Sequence, residues 1–190
     1  MSYREERRRR AWLVWLAGVV VVVSTLILIV GAPLAAASGY PRVAATLYQS
    51  FAVLCHQLPE RSYFIAEHKL AVCARCTGLY AGFALTWLLY PLVRPLRSVE
   101  WPRREWLLMS ALPMAVDVGL TFLGVWENTH TSRLLTGLLL GGASVFYVMP
   151  GLMELTSRKP RETSLSTFTL PSPESMAAAP SDYSAPERRI

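Results

Sequence analysis

Hydrophobic residues in this chain gather into long uninterrupted runs. Ala11–Val30, Trp106–Val125 and Leu134–Met153 each extend for about twenty residues, the length a helix needs to cross a hydrocarbon core of ~30 Å, and Asp117 is their one charged residue. A fourth run, Thr77–Val93, is uncharged and shorter, at the low end of the spanning range unless its helix begins nearer Cys73. The pattern predicts an all-α, polytopic membrane protein with four transmembrane helices, over about 11–30, 77–93, 106–125 and 134–153.

Between the first two spans the period changes. Val43, Leu47, Phe51, Leu54 and Leu58 recur at three- and four-residue steps, with Arg42, Gln49, Ser50, Gln57 and Glu60 mainly off that stripe. This predicts a short amphipathic helix lying on the outer surface and ending at Leu58-Pro59. From Glu60 to Val72 no period persists, which suits a loop or short hairpin that brings Cys73 back toward Cys55.

Within the spans, small residues mark contacts. Gly78 and Gly82 in the second, and Gly137 and Gly141 in the fourth, recur at the four-residue step that lets helix backbones approach closely, so these two helices are expected to pack together. Pro113, Asp117, Thr121, Gly124 and Asn128 fall on one stripe of the third, which should face protein and not lipid. From residue 157 onward Pro, Ser, Thr and Ala dominate without an apolar period, predicting a disordered cytoplasmic tail over 157–190.

Composition agrees with a membrane protein: 53% of the 190 residues are hydrophobic, with a mean hydropathy of +0.32. The net charge of +6 would suggest nucleic acid in a soluble protein. Here the basic residues cluster at span ends instead: Arg4 and Arg7–Arg10 before the first, Arg94, Arg97, Arg103 and Arg104 between the second and third, and Arg158, Lys159 and Arg161 after the last. The intervening connections are poor in them, so the positive-inside bias predicts a cytoplasmic (inner) membrane protein with both termini, including the basic segment 1–10, in the cytoplasm. Its expected partner is the lipid bilayer, with no nucleic acid. A cleaved secretory signal ending near Ala35-Ala36-Ala37 is the competing reading of the amino terminus, disfavoured because the apolar run exceeds the ~7–15 residues of a signal core. No nucleotide-binding glycine signature or internal repeat is present.

The chain's three cysteines, Cys55, Cys73 and Cys76, all fall in the external segment 43–76, together with His56 and His68. The two-residue gap in Cys73-Ala74-Arg75-Cys76 lets both sulfurs turn toward one ion, Cys55 supplies a third thiolate, and His56 or His68 completes a zinc-type Cys3His set. Consecutive ligands such as Cys55 and His56 diverge by about 100° on a regular helix, which makes His68 the easier ligand geometrically. The rival chemistry is redox, a disulfide exchanged between Cys73 and Cys76, but it leaves Cys55 without a partner. Haem attachment is disfavoured because Thr77, not histidine, follows Cys76.

Further polar groups share that side. Asp117 would lie about 12 Å below the outer end of its helix, where a carboxylate needs a partner or a wet cavity, and Arg133 and Arg75 are the candidate partners. Glu127, Asn128 and His130 occupy the short external loop. The catalytic candidates are therefore Asp117, Glu127, Arg133, Arg75 and Asn128.

The segments Cys55-His56-Gln57-Leu58-Pro59-Glu60-Arg61-Ser62-Tyr63 and Val72-Cys73-Ala74-Arg75-Cys76-Thr77-Gly78, followed by Asp117, Asn128, Arg133, Thr136 and Gly137, resemble the pattern of an uncharacterised family of small prokaryotic integral membrane proteins, a domain of unknown function. The resemblance covers about Val43–Gly142. It implies which residues matter and favours His56 over His68, because the Cys-His-Gln triplet belongs to the pattern; it implies no reaction. Three function classes follow. The first is metal-assisted hydrolysis or transfer on a lipid-borne or extracytoplasmic substrate, with a water on the metal as nucleophile and Asp117 or Glu127 as base. The second is a membrane thiol-disulfide oxidoreductase using Cys73 and Cys76, and the third a non-enzymatic metal sensor, transporter or assembly factor.

Overall fold

The computed structural model describes residues 3–157 apart from 97 and 99. Its helices are α1 (Tyr3–Ala37), α2 (Pro41–Ala52), α3 (Ala74–Val93), α4 (Arg104–Phe122) and α5 (His130–Ser157); a hairpin, β1 (Phe64–Ile65) and β2 (His68–Lys69), lies between α2 and α3. All but α2 are long and apolar enough to cross a membrane. The protein is thus an all-α polytopic membrane protein with four candidate spans. Large apolar side chains such as Val20, Leu92 and Phe122 point outward from the bundle, an arrangement that lipid solvates and water does not. The expected tail lies outside the described residues except for Ser157, which closes α5.

Boundaries depart from the expected ones for local reasons. α1 runs on through the arginine cluster to Ala37, so at 1.5 Å per residue its 35 residues exceed a ~30 Å core. α4 stops at Phe122, with Gly124 in the left-handed region at φ 68° terminating it. Gly124 and Asn128 therefore lie beyond the helix and not on its stripe, and Asp117 sits only about 8 Å below the helix end. α2 ends at Ala52, which leaves Leu54 and Leu58 in the following loop.

The core of the bundle is the pair α3 and α5. A Cβ on Gly78 would meet the backbone of Leu134 and Leu138, and one on Gly82 that of Leu138; reciprocally, Gly137 faces Arg75 and Leu79, and Gly141 faces Leu79. The contacts advance in the same direction along both helices, so α3 and α5 are parallel and their N-termini lie at one end. Both glycine pairs expected to pack do so. α1 is joined to α3 by two reciprocal bonds: Trp15 Nε1 donates to Trp87 O at 2.9 Å and Trp87 Nε1 donates to Trp15 O at 3.1 Å. The Trp87 ring occupies the space that a side chain at Gly18 would fill. At the opposite end of the bundle from the N-termini of α3 and α5, Tyr147 Oη on α5 accepts from Leu107 N and donates to Arg103 O, capping α4.

Because backbone atoms stand about 2.2 Å from a Cβ at position 82, Gly82→Val is expected to destabilise the bundle by about 3 kcal/mol, the upper end of overpacking costs. Gly119 has open space around it, so Gly119→Ala should leave stability unchanged or slightly raised. Thermal unfolding in detergent followed by circular dichroism checks the pair.

Candidate metal centre

Cys55 follows the end of α2, Cys73 is the N-cap of α3, and Cys76 lies in the first turn of α3. The first-turn spacing puts the last two sulfurs on one side of the helix start. Cys55 reaches them because its segment is clamped from several directions. Tyr48 Oη on α2 donates to Lys69 O in the hairpin, Gln57 Nε2 donates to Tyr48 O at 2.7 Å, and Lys69 Nζ donates to Gln57 O at 2.7 Å. Gln57 is buried and left-handed at φ 52°, a conformation costly for a residue with a Cβ and held here by those bonds. The hairpin turn is left-handed at Ala66 and Glu67, at φ 48° and 64°, as a two-residue hairpin connection requires. Ile29 and Ala32 of α1 pack with Phe51, Cys55 and Leu70–Val72 behind the site.

The three sulfurs lie within 4.8 Å of one another, with Cys55 buried and the other two half-buried. Tetrahedral zinc with Zn–S bonds of ~2.3 Å spaces its sulfurs by about 3.8 Å, so a contraction of about 1 Å or less would bring all three to ligand distance. Cys73 N donates to Cys55 Sγ at 3.2 Å, tying the Cys55 loop to the start of α3. The Cys73 thiol itself is held well below the ordinary thiol range because Cys55 and Cys76 hydrogen-bond to its sulfur. All three are free cysteines.

Neither histidine belongs to this cluster. His56 is exposed but lines the cavity of about 340 Å³ into which the cysteines open. His68 is exposed on β2 and is not part of that wall. His68 belongs to the hairpin, with Ile65 opposite it on β1.

The same cavity is bordered by Arg61, Arg75 and Arg133. Behind them runs one hydrogen-bonded chain. Arg75 donates to Asp117 Oδ2 at 2.7 Å, Asn128 Nδ2 donates to the same oxygen at 2.8 Å, and Arg133 Nε donates to Asn128 Oδ1 at 2.7 Å. Arg75 is thus the direct partner of Asp117, and Arg133 is linked to it through Asn128. Asp117 does not border the cysteine cavity; it borders a mostly apolar groove of about 440 Å³ beside Pro113 and Trp126. Glu127 is exposed in its loop and touches neither space. His130 begins α5, and its carbonyl accepts from Tyr63 Oη at 3.3 Å, tying the cysteine segment to that helix. Sequence reasoning missed Gln57, Tyr48 and Lys69 as a clamp and Arg61 as a wall residue, and the Gln57 position in the Cys-His-Gln triplet was the available signal.

Residues 55–147 match the family described as Predicted membrane protein (DUF2085). An uncharacterized protein of Methanocaldococcus jannaschii is 37% identical over 117 residues, which cover 62% of this chain and 75% of that protein. The chain belongs to this family of predicted membrane proteins. A second relative, an uncharacterized protein of Methanothermobacter thermautotrophicus, is 34% identical over 91 residues, covering 48% of this chain and 80% of its own length. No solved structure matches. The DUF2085 match begins at Cys55 and takes in the three cysteines and the whole arginine chain, while α1 and α2 precede it.

Removing one partner of a buried ion pair strands the other charge, at a typical cost of about 3 kcal/mol or more. Asp117→Asn is therefore expected to lower stability by about 3 kcal/mol. Arg133→Gln, which loses a bond to a neutral amide, should cost about 1 kcal/mol. Denaturant titration of the purified protein in mild detergent measures both.

Proposed function

We propose that this membrane protein carries a zinc-type centre held by Cys55, Cys73, Cys76 and His56, on the extracytoplasmic face of a four-helix bundle with cytoplasmic termini. The observation that carries this is the convergence of three sulfurs from two separate elements, within 4.8 Å, at the wall of an open cavity. Thiolates separated by this much repel one another, and a cation between them is the usual compensation. His56 is the fourth donor on this reading because it shares the cavity wall; where it stays away, that position is open to substrate. The orientation follows the arginine distribution.

The chemistry this arrangement fits best is metal-assisted hydrolysis or transfer on a substrate reached from outside the cytoplasm, lipid-borne or free. Cys55, Cys73 and Cys76 would hold the zinc ion, which would supply Lewis acidity there when bound. The residues of the chain do the rest. Arg75 and Arg133 face the space next to the sulfurs, and Asp117 orients Arg75 directly and Arg133 through Asn128. With its carboxylate committed to two donors and turned away from the cavity, Asp117 acts as a positioning residue and not as a base. A second reading, thiol-disulfide exchange, is favoured by the mutual proximity of three free cysteines.

Elemental analysis of detergent-purified protein separates the two. About one zinc per chain is expected in the wild type, with near-complete loss in Cys73→Ser, a roughly tenfold weaker hold in His56→Ala and no change in His68→Ala. Metal-free wild type with a trapped Cys73–Cys76 disulfide would establish the redox reading instead.

A further inference from the structure

The cavity that the cysteines share is also lined for negative charge. Arg61, Arg75 and Arg133 all border the cavity, and among the described residues no carboxylate does. Of the two inner arginines only Arg75 donates to the Asp117 carboxylate, which also accepts from Asn128; Arg133 reaches it only through that amide. Arg133 meets a neutral amide through Nε and lines the cavity, with no carboxylate bonded to it among the described residues. Arg75 Nε is buried without a hydrogen-bond partner. Arg61 Nε stands 4.0 Å from Glu60 Oε1, but both side chains are at least half exposed, and such a pair neutralises little.

The thiolates do not absorb this charge. A dication bound by three thiolates carries one net negative charge, which together with Asp117 balances two of the three guanidinium groups and leaves one positive charge facing the space. Backbone adds to it. α3 and α5 are parallel, and both begin at this end of the bundle, at Ala74 and His130. The positive ends of two helix dipoles therefore lie at the same side as the arginines. The volume of about 340 Å³ is near the small end of ligand pockets, enough for a small molecule or a head group and too small for a whole lipid.

We propose that this cavity is an oxyanion site, in which Arg61 and Arg133 grip the phosphate, carboxylate or sulfate group of the substrate beside the cysteine centre. The inference deepens the metal-centre reading and rests on it for the charge count. Arg133 supplies a planar two-donor edge, suited to two oxygens of one anion, and Arg61 closes the rim from the end of the short turn Pro59–Arg61. Arg75, held by Asp117, sets the field between them. The shared chemistry is that of a tetrahedral or planar oxyanion, whether free or at the end of a lipid.

The test uses full-length protein in phosphatidylcholine nanodiscs, with zinc content measured on the same samples. Inorganic phosphate, acetate and short-chain phosphatidic acid are titrated by calorimetry, and phosphate also by phosphorus NMR. Saturable phosphate binding is expected, weakened about tenfold in Arg133→Gln and several-fold in Arg61→Gln, with partial recovery in Arg133→Lys. Arg61 lies at the exposed rim, so its variant keeps the test valid should Arg133→Gln fail to fold. Phosphatidic acid that competes with phosphate assigns the anion to a lipid head group, and phosphate or acetate alone assigns it to a free ion. Zinc-loaded protein that binds none of the three anions, or binds them equally well in both variants, overturns the oxyanion site while leaving the metal centre standing. Zinc-free protein that binds phosphate with the same arginine dependence retains the anion site and removes the metal; zinc-free protein that binds no anion removes both.

Discussion

The backbone contact between α3 and α5 is the constraint from which the remaining arrangement follows. Inside a bilayer apolar side chains gain nothing by leaving lipid for protein, so helices associate where small residues let backbones touch. Gly78, Gly82, Gly137 and Gly141 provide four such points in alternation, two on each helix. Two parallel helices locked at that distance bring their N-termini together. Those termini carry Cys73, Arg75 and Cys76 on one side and Arg133 on the other. Substituting bulk into this seam would separate the cysteines from Arg133 before it disturbed either helix on its own. The remaining elements are fitted around the pair: α1 through the exchanged Trp15 and Trp87 bonds, and α4 through Tyr147 and Asp117.

A carboxylate near the end of a membrane helix is costly unless its charge is met. Asp117 satisfies that requirement with Arg75 and Asn128, and the bonds give it a directional consequence. Arg75 is pulled toward α4 and Arg133 is aligned by Asn128, so two guanidiniums that would repel each other are held against one cavity. An apolar residue at 117 would leave both free to swing into water. The carboxylate thus lies outside the lining of the cavity while bonding to Arg75, which borders it, and to Asn128, which holds Arg133.

Span number, helix class and the α3–α5 contact were legible because each depends on a regular period or a run length. Asp117 and its two candidate arginines were legible for a related reason: a lone charge in an apolar run demands a partner. What the sequence concealed depends on single backbone conformations and on contacts distant along the chain. Gly124 ends α4 early through a positive φ, and Asn128 joins the Asp117 chain from a loop, not from the helix stripe on which its spacing seemed to place it. Gln57 adopts a left-handed conformation that no propensity predicts, and its clamp with Tyr48 and Lys69 is what carries Cys55 to the helix start. Periodicity treated Leu54 and Leu58 as a continuation of the amphipathic helix, since the apolar step persists after the backbone has turned. His68 falls not in an open loop but in the hairpin, opposite Ile65 and outside the cavity lining.

The way Cys55 is delivered bears on what a metal would do here. Two of the sulfurs belong to the rigid start of α3, while the third hangs from a loop secured by hydrogen bonds and by packing against Ile29 and Ala32 of α1. An ion bridging them would join the Cys55 segment to the bundle, and its binding energy would appear as stability of that segment. A site with only that purpose needs no cavity, and burial would suit it best. Here Cys73 and Cys76 remain half-buried and open onto a space walled by three arginines. Guanidinium groups placed there raise the free energy of the empty protein by mutual repulsion, a cost that a merely structural clip gives no reason to bear. Binding an anion offsets it, so the same arrangement that is unfavourable when empty is what gives the cavity its selectivity.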